Sequence, residues 1–362
     1  MSDKNFMNMC LDLAQRAWGN VSPNPYVGSV IVKDGEIISS GYHRGPGLAH
    51  AELDAINNAK VSVKGSTLYC NLEPCCHTNK RTPPCAQRIV KEGIKRVVIC
   101  NLDPNPHVAG KGVQILKDAG IEVETGILKE KGLVLNEVFF KHIQEESPFV
   151  HLKWAQTLDG KIAAKDSTSK WITSDRSRAL VHRERISHDA ILVGASTLRV
   201  DNPSLTARED GNVVKRIKRI VVASKDDFDH DLKFFSDDYK DDSILALPEG
   251  QTSNSDVETI FCKTTAHGKV DLNDLLAKLY EKEIYSIYVE GGQGILTQFL
   301  KQKLFDRVSV FMAPKIVGEG ASPLGYIGIN SMKEALCLEN PKVELLGDNI
   351  YITSRGSKCS LD

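Results

Sequence analysis

Three residues in the first quarter of the chain have the types and spacing of zinc ligands. They are His50, Cys75 and Cys85, which together offer one imidazole and two thiols. Zinc prefers nitrogen and thiolate ligands, and a catalytic site supplies three of them while leaving the fourth position to water. Cys75 and Cys85 each follow a proline near a predicted helix start, where the helix dipole favours a thiolate. The sequence therefore predicts one catalytic zinc ion per chain.

Glu52 lies two residues after His50 and is predicted to be the acid–base group of the same site. Its carboxylate is close enough to face water at the metal and to carry a proton from that water to a departing amine. His-x-Glu followed about 20–30 residues later by Pro-Cys matches the signature of zinc deaminases. A purely structural zinc site stays open as an alternative, because Cys76 or His77 is available as a fourth protein ligand.

Composition narrows the class of protein. The 362-residue length suggests two domains, and an apolar fraction of 41% is enough for two buried cores. The formal net charge of −1 comes without a basic stripe, which disfavours a nucleic-acid partner and favours small-molecule chemistry. No run approaches the ~18–20 apolar residues of a membrane span, and the residues after Met1 lack the apolar core of a secretory signal. With nine cysteines unevenly spread, we expect a cytoplasmic protein without a disulfide framework.

The first part of the chain is predicted to form a layered α/β domain with a mixed sheet. An amphipathic helix over 6–19 precedes strands at 27–32 and 36–40, which Asp34-Gly35 joins as a hairpin. Helices and strands then alternate, with helices at 50–59, 85–92 and 113–119 and strands at 66–71, 96–101 and 121–124. A helix containing Phe139 and Phe140 ends at a break over 144–148, which predicts domains of residues 1–146 and 147–362.

The second part is predicted to be another α/β domain, with a phosphate-binding turn and an exposed polar insertion over 226–242. Strands are expected at 149–154, 190–193, 219–222, 286–290 and 308–312. The turn Gly291-Gly292-Gln293-Gly294 joins the strand predicted at 286–290 to a helix predicted over 295–303. Glycines allow a ligand to approach the backbone closely, and the free N–H groups at the start of a helix attract phosphate. The third glycine of a Rossmann fingerprint and its acidic ribose partner are missing. The turn therefore predicts pyrophosphate binding in a different α/β fold.

Two series of motifs follow one another along the chain. The first comprises Asn24-Pro25-Tyr26-Val27-Gly28, His50-Ala51-Glu52, Leu72-Glu73-Pro74-Cys75-Cys76-His77, Thr82-Pro83-Pro84-Cys85 and Asp103-Pro104-Asn105-Pro106. It resembles the deaminase half of bifunctional RibD enzymes. One departure is a loop between Cys75 and Cys85 that is one residue longer than usual, with Asn79-Lys80 where a glycine is usual. Because of this departure, the resemblance does not fix the path of residues 76–81 or a substrate contact by His77 or Lys80.

The second series comprises Leu152-Lys153, residues 157–163, Trp171-Ile172-Thr173-Ser174, Val193-Gly194, Thr197, residues 201–206, Arg208 and residues 289–292. It resembles the RibD reductase domain, so the resemblance covers essentially the whole chain. The implied fold is a cytidine-deaminase-like three-layer domain followed by a dihydrofolate-reductase-like α/β domain. The implied activity is zinc-dependent deamination of 2,5-diamino-6-ribosylamino-4(3H)-pyrimidinone 5′-phosphate. NADPH-dependent reduction of the ribosyl side chain then gives 5-amino-6-(5-phosphoribitylamino)uracil.

The resemblance also implies residue roles in the reductase half. NADPH would be contacted by Ala155, Trp171, Thr197, Asp201, Ser224, Gly292, Gln293 and Gly294, and the substrate by Ser169, Leu205 and Glu290. Lys153 and Asp201 are placed near the carbon that is reduced. Arg185 and Arg208 are expected to clamp the substrate phosphate, because guanidinium forks suit bidentate phosphate recognition. The alternatives are ordinary surface ion pairs for the two arginines and a core position for Trp171.

Two other functions stay open at this point. One is a deaminase of another nucleoside or of a tRNA base with a non-catalytic second domain, and the other is a non-catalytic binding module stabilised by zinc. We expect a homo-oligomer, either a dimer or a tetramer, with no nucleic-acid or membrane partner.

Overall fold

The computed structural model describes residues 1–76 and 84–356 and contains two compact units, Met1–Glu146 and a second that begins at Ser147. The helices of the first unit are α1 (Asp3–Gln15), α2 (Ala51–Asn58), α3 (Cys85–Lys91), α4 (Lys111–Asp118), α5 (Lys129–Leu135) and α6 (Glu137–Glu145). Its strands are β1 (Gly28–Lys33), β2 (Glu36–Tyr42), β3 (Thr67–Leu72), β4 (Arg96–Asn101) and β5 (Glu122–Thr125).

The five strands of the first unit form a mixed sheet in the order β2-β1-β3-β4-β5. β1 runs antiparallel to β2 and β3, whereas β3, β4 and β5 are parallel. The predicted hairpin is confirmed, since Asp34 and Gly35 have φ angles of 50° and 81°, the positive values that a tight two-residue hairpin turn requires. Helix α1 lies close on the sheet, because a Cβ at Gly28 would lie only 2.1 Å from the carbonyl oxygen of Cys10.

The described part of the second unit contains thirteen strands, of which nine form one large sheet and four form two separate pairs. Its strands are β6 (Phe149–Thr157), β7 (Ala163–Ala164), β8 (Ala190–Gly194), β9 (Ala207–Glu209), β10 (Asn212–Lys215), β11 (Lys218–Val222), β12 (Ser243–Pro248), β13 (Glu258–Cys262), β14 (Ser286–Glu290), β15 (Arg307–Ala313), β16 (Gly320–Ala321), β17 (Leu338–Leu346) and β18 (Asn349–Gly356). The two separate pairs are β9 with β10 and β7 with β16. Its helices are α7 (Asp175–Ile186), α8 (Ala195–Asp201), α9 (Lys233–Ser236), α10 (Leu272–Glu281) and α11 (Gln293–Lys301).

The order of the large sheet is β13-β12-β11-β8-β14-β6-β15-β18-β17. The strands from β13 to β15 are parallel to their neighbours, and β18 and β17 add an antiparallel edge. Parallel strands are covered on both faces, and their runs of buried residues, such as Ser243–Pro248, fit this arrangement. The carboxyl ends of β6, β8, β11 and β14 therefore share one edge, which is where open α/β sheets bind ligands.

Two predictions about the second unit are wrong. The stretch 226–242 is not simply an exposed insertion, because Phe234 and Phe235 of α9 are buried in a core cluster with residues of β8, β11 and β12. Arg219, itself buried, holds this segment by donating to the carbonyl oxygen of Phe234 at 3.2 Å and pairing with Asp237 at 2.9 Å. In addition, α11 begins at Gln293, so Gln293 and Gly294 lie in its first turn rather than in the loop before it.

None of the helices in the described part of the chain has the length and apolar character that crossing a bilayer requires.

Candidate active sites

The three predicted zinc ligands converge at the ends of three elements of the first unit. His50 is the residue before α2, Cys85 is the first residue of α3, and Cys75 follows the carboxyl end of β3. His50 Nδ1 lies 3.4 Å from Cys75 Sγ and 3.5 Å from Cys85 Sγ, and all three donor atoms lie within 4.8 Å of one another. Both thiols are buried.

This geometry fits a tetrahedral zinc ion. With Zn–N and Zn–S bonds of about 2.0–2.1 and 2.3 Å, tetrahedral angles place nitrogen and sulfur about 3.5 Å apart. Among the described residues the cluster contains three donors, and Cys76 donates its thiol instead to the carbonyl oxygen of His107. His77, the other candidate for a fourth ligand, and Lys80 lie outside the described residues, as does most of the 76–81 loop.

Glu52 lies in the first turn of α2 and borders the same cavity as His50 and Cys75. The glutamate is 3% exposed, so its carboxylate faces the site and not bulk solvent. The cavity has a volume of about 300 Å³, which is the size of a small-molecule site. Its remaining walls come from the predicted motifs and from side chains that the motifs did not single out: Asn24, Pro25, Val27, His43, Gly47, Leu48, Leu72, Glu73, Asp103, Asn105 and Phe139.

His43 is a part of this cavity that sequence reasoning missed. Its Nδ1 lies 3.0 Å from the carbonyl oxygen of Ala49, which can only accept, so Nδ1 carries the proton. Nε2 then accepts from Asn24 Nδ2 at 3.0 Å. Burial lowers the pKa of His43, which keeps the ring neutral in this role. The sequence contains one signal for this role: His43 is a polar residue that directly follows β2 and precedes the His50-Ala51-Glu52 motif in the chain.

In the second unit, Lys153, Arg185 and Glu290 form one largely buried charge cluster, with side chains 12–15% exposed. Lys153 of β6 and Glu290 of β14 are register partners, and Lys153 Nζ lies 3.3 Å from Glu290 Oε2. Arg185 of α7 donates from Nε to Glu290 Oε1 at 2.5 Å. Burial alone would raise the pKa of Glu290, but the positive charges of Arg185 and Lys153 lower it to about 2. The carboxylate is therefore ionised at neutral pH.

Arg208 is brought to the same place through Thr206. Arg185 Nη1 donates to the carbonyl oxygen of Thr206 at 2.8 Å, and Arg208 Nε donates to the Thr206 hydroxyl at 2.8 Å. Leu205, the residue before Thr206, is buried and has a φ angle of 48°, an uncommon conformation for a residue other than glycine. Such a conformation is typical of loops that the surrounding structure holds in one shape.

Two of the residues assigned to NADPH, Gly292 and Ser224, follow the carboxyl ends of the parallel strands β14 and β11. Gly292 comes two residues after β14 and donates its N–H to the Thr197 hydroxyl of α8 at 3.1 Å. Ser224 is exposed two residues after β11, Asp201 ends α8, and Ala155 lies within β6.

Trp171 and Ser169 lie in a different segment, between β7 and α7. The tryptophan is 62% exposed, which rules out the core position considered for it. The Arg178 guanidinium stacks over the indole ring at 4.3 Å from its centroid, and Lys315 Nζ donates to the Trp171 carbonyl oxygen at 2.7 Å. An exposed aromatic ring beside cations is suited to stacking against a flat ligand.

Together, the fold and the two sites define a zinc-binding deaminase unit followed by an α/β reductase unit. The sequence matches the cytidine and deoxycytidylate deaminase zinc-binding region over residues 1–101 and the RibD C-terminal domain over residues 148–352. It is 44% identical to the riboflavin biosynthesis protein RibD of Aquifex aeolicus, with 97% of each chain covered.

Two solved structures are similar to this chain over nearly their full lengths. One is RibD of Acinetobacter baumannii, with a TM-score of 0.86, 33% identity, and coverage of 98% of this chain and 99% of the other. The second, from Thermotoga maritima, is a diaminohydroxyphosphoribosylaminopyrimidine deaminase/5-amino-6-(5-phosphoribosylamino)uracil reductase, with a TM-score of 0.86, 36% identity and 98% of each chain covered. The chain belongs to the RibD family of bifunctional enzymes, and it pairs a zinc deaminase domain with an NADPH-dependent reductase domain.

Proposed function

We propose that residues 1–146 deaminate 2,5-diamino-6-ribosylamino-4(3H)-pyrimidinone 5′-phosphate and that the domain from residue 147 reduces the product with NADPH. The ribosyl ring opens to an imine, and reduction of that imine gives 5-amino-6-(5-phosphoribitylamino)uracil. The observation that carries the proposal is the presence of two complete polar clusters in one chain. One is the three-donor zinc site with Glu52, and the other is the Lys153–Glu290–Arg185 cluster at the carboxyl edge of the large sheet.

In the deaminase site, His50, Cys75 and Cys85 hold zinc, which when bound supplies a nucleophile from water near neutral pH. Glu52 takes up the proton that this water releases and returns it to the amine, so that ammonia leaves. The burial of Glu52 in the cavity wall keeps the carboxylate beside the reacting carbon and away from bulk solvent. His43 holds the Asn24 side chain in one orientation, so that the rest of that amide group can bind the pyrimidine ring.

In the reductase site, NADPH supplies the hydride, and the chain orients the two reactants. Lys153 and Asp201 lie beside the carbon that accepts the hydride, and the Lys153 ammonium is the proton source for the opened sugar. The first turn of α11 would hold the NADPH phosphates, because Gly292 and Gly294 leave room there and Gln293 and Gly294 present helix N-terminal N–H groups. Trp171 would stack on the cofactor, and Ala155, Thr197, Asp201 and Ser224 would make its other contacts.

The substrate is held by charge and shape at the loop over 205–208. Arg208 binds the 5′-phosphate, and Arg185 lies beside it through their shared partner Thr206. Glu290, with its charge fixed by Arg185 and Lys153, accepts hydrogen bonds from the ribityl hydroxyls. Ser169 and Leu205 complete the substrate contacts.

We also propose that the enzyme is a cytoplasmic homo-oligomer, a dimer or a tetramer. β17 is an edge strand of the large sheet, and Val343 and Leu345 on it are 63% and 72% exposed. A long exposed edge strand with apolar side chains is suited to pairing with another chain. Light scattering of the purified protein should give a multiple of the 39.9 kDa chain mass, and a Val343→Lys/Leu345→Lys double variant should be smaller.

The function is tested by following the pyrimidine absorbance and NADPH absorbance in the same reaction. The pyrimidine spectrum should change without NADPH, and NADPH should be consumed only after that change or when deaminated substrate is supplied. Deamination without any NADPH consumption would support a deaminase with a non-catalytic second domain. Neither change, together with chelator-sensitive stability, would support a zinc-stabilised binding module.

A further inference from the structure

Glu73 makes three hydrogen bonds that lie outside the chemistry described above. It is 3% exposed, and its Oε2 accepts from the backbone N–H groups of Asp103 at 3.2 Å and Gly110 at 3.0 Å. Its Oε1 accepts from the N–H of Val113 at 3.1 Å. Both carboxylate oxygens are therefore engaged by backbone donors, so the side chain joins two segments of the chain as a hydrogen-bond acceptor.

The two segments that Glu73 joins have different tasks. Glu73 follows β3 directly and precedes Pro74-Cys75, so its backbone belongs to the segment that carries a zinc ligand. The segment over 103–110 forms a wall of the deaminase cavity through Asp103 and Asn105. Within that wall, Asn105 N–H donates to Asp103 Oδ1, and Asn105 Oδ1 accepts from His107 N–H, both at 2.9 Å. The wall is thus a compact turn that the Glu73 carboxylate attaches to the zinc-ligand segment, and the Cys76 thiol adds a second attachment by donating to the His107 carbonyl oxygen at 3.6 Å.

Gly112 shows how closely these segments approach each other. A Cβ at Gly112 would lie 2.1 Å from the carbonyl oxygen of Pro74 and 3.1 Å from Glu73 Oε1. The first distance is far inside van der Waals contact with backbone, so any larger residue would push α4 away from the ligand segment. The start of α4 and the cavity wall before it therefore pack directly against Glu73 and Pro74, with no space for a larger side chain at Gly112.

We propose that Glu73 is a positioning residue that sets the distance between the cavity wall over 103–110 and the zinc-ligand segment. It thereby controls how tightly the deaminase site holds its pyrimidine. The proposal rests on the proposed deamination, and it assigns Glu73 to substrate affinity and not to metal binding or to the chemical step. The carboxylate acts through the backbone of the wall, in which Asp103 and Asn105 line the cavity.

The test is Glu73→Gln in the full-length zinc-loaded enzyme. The amide keeps the size of the carboxylate, but its NH2 group must face backbone donors where an acceptor stood. We expect the KM of deamination to rise by about ten-fold, a loss that one charge-assisted contact can account for, with kcat changed less than about three-fold. Zinc should stay at one per chain by elemental analysis, and amide exchange at Gly110 and Val113 should quicken. The reductase, assayed on deaminated substrate, should be unchanged.

Ser66→Ala is the matched control. Ser66 is buried in the same unit before the opposite end of β3, and its hydroxyl donates to the Val63 carbonyl oxygen at 2.6 Å. It should leave the KM unaltered. Gly112→Ala forces the same junction apart from the other side and should raise the KM as Glu73→Gln does.

Three results would overturn the proposal: loss of zinc in Glu73→Gln, a fall in kcat at unchanged KM, or a KM unaltered while amide exchange quickens. If Glu73→Gln does not fold, Gly112→Ala is judged by the same three criteria. If both variants fold and both lose zinc, Glu73 supports the zinc-ligand segment and not the cavity wall. A wild-type enzyme that fails to deaminate the pyrimidine would refute the proposed substrate. In that event a fall in affinity for pyrimidine nucleotides, measured by calorimetry, still tests the role of Glu73.

Discussion

Lys153 and Glu290 face each other across the neighbouring parallel strands β6 and β14, with Nζ 3.3 Å from Oε2. Arg185 approaches the same carboxylate from α7, so two cations share one anion. The cluster keeps a net positive charge at the carboxyl edge of the sheet, where it favours an anionic or electron-rich ligand. Its side chains are only 12–15% exposed, so their charges are compensated mainly by one another and not by water.

Replacing Glu290 by Gln should therefore damage both stability and activity. The change leaves two buried cations without their carboxylate, and breaking a buried pair in this way typically costs about 3–5 kcal/mol. We expect the unfolding midpoint in urea to fall and reduction to be lost, with deamination retained. A Glu283→Gln variant, at an exposed position in the same unit, serves as the control. Unaltered reduction in Glu290→Gln would remove Glu290 from the reductase site.

Removing a zinc ligand should separate the two activities. Cys75→Ser replaces a thiolate with a weaker ligand, so we expect loss of both the metal and deamination while the reductase still acts on deaminated substrate. Cys10→Ser, a buried cysteine of α1 away from the ligand cluster, should keep its zinc. Elemental analysis is the deciding measurement, and a full complement of zinc in Cys75→Ser would refute the ligand assignment.

Glu52→Gln should distinguish the acid–base group from the ligands. The amide preserves size but cannot carry a proton, so zinc should remain at one per chain while the deamination rate falls by about 10²-fold or more. The measurement is a pre-steady-state deamination rate beside the zinc content of the same sample. Wild-type turnover in this variant would mean that another residue moves the proton.

The metal site was predictable from sequence because its signals are local. His50 and Glu52 are two residues apart and each ligating cysteine follows a proline, so residue type and spacing were enough. The predicted helix start is confirmed for Cys85 but is wrong for Cys75, which follows β3. His43 was missed because its role depends on β2 ending beside Ala49 and Asn24, which a linear pattern does not express.

The reductase cluster depends on contacts between segments far apart in the chain. Lys153 meets Glu290 only because β14 is inserted between β8 and β6 in the sheet, and that strand order has no local sequence signal. The burial of Phe234 and Phe235 inside a polar stretch was missed for a related reason: a buried arginine, Arg219, supplies the polar partners that this segment needs. The assignments of Ser169, Ser224 and the other cofactor and substrate contacts stay predictions.

The second unit should lose stability on mild acidification. Burial lowers the pKa of His188 to about 3 and that of His182 to about 4, so both rings are neutral when folded. Below the ordinary histidine pKa of about 6.5 the unfolded chain takes up protons that the folded chain refuses. Stability should therefore be full above about pH 6.5 and fall as the pH drops toward 4. Each such histidine contributes a slope of up to about 1.4 kcal/mol per pH unit.

His188→Gln tests this dependence. The variant should flatten the slope of unfolding free energy against pH by about one proton, measured by urea titrations between pH 4.5 and 7.5. His267→Gln, at an exposed position, should leave the slope unaltered. An equal slope in wild type and His188→Gln would show that His188 takes up its proton in the folded state as well.

Arg208 provides the sharpest test of substrate recognition in the reductase half. Its Nε is held by the Thr206 hydroxyl, which leaves the outer guanidinium nitrogens to form a fork toward a phosphate. Losing such a contact typically costs about 1.5–3 kcal/mol, so Arg208→Ala should raise the KM for the phosphorylated substrate about ten-fold or more. Arg208→Lys should restore only part of the affinity, because a point charge cannot reproduce the fork. NADPH affinity, zinc content and deamination should not change. The control is a dephosphorylated substrate, for which wild type and Arg208→Ala should have nearly equal KM values. If Arg208→Ala instead raises the KM by the same factor for both substrates, Arg208 supports the loop over 205–208 or the cofactor and does not bind the phosphate.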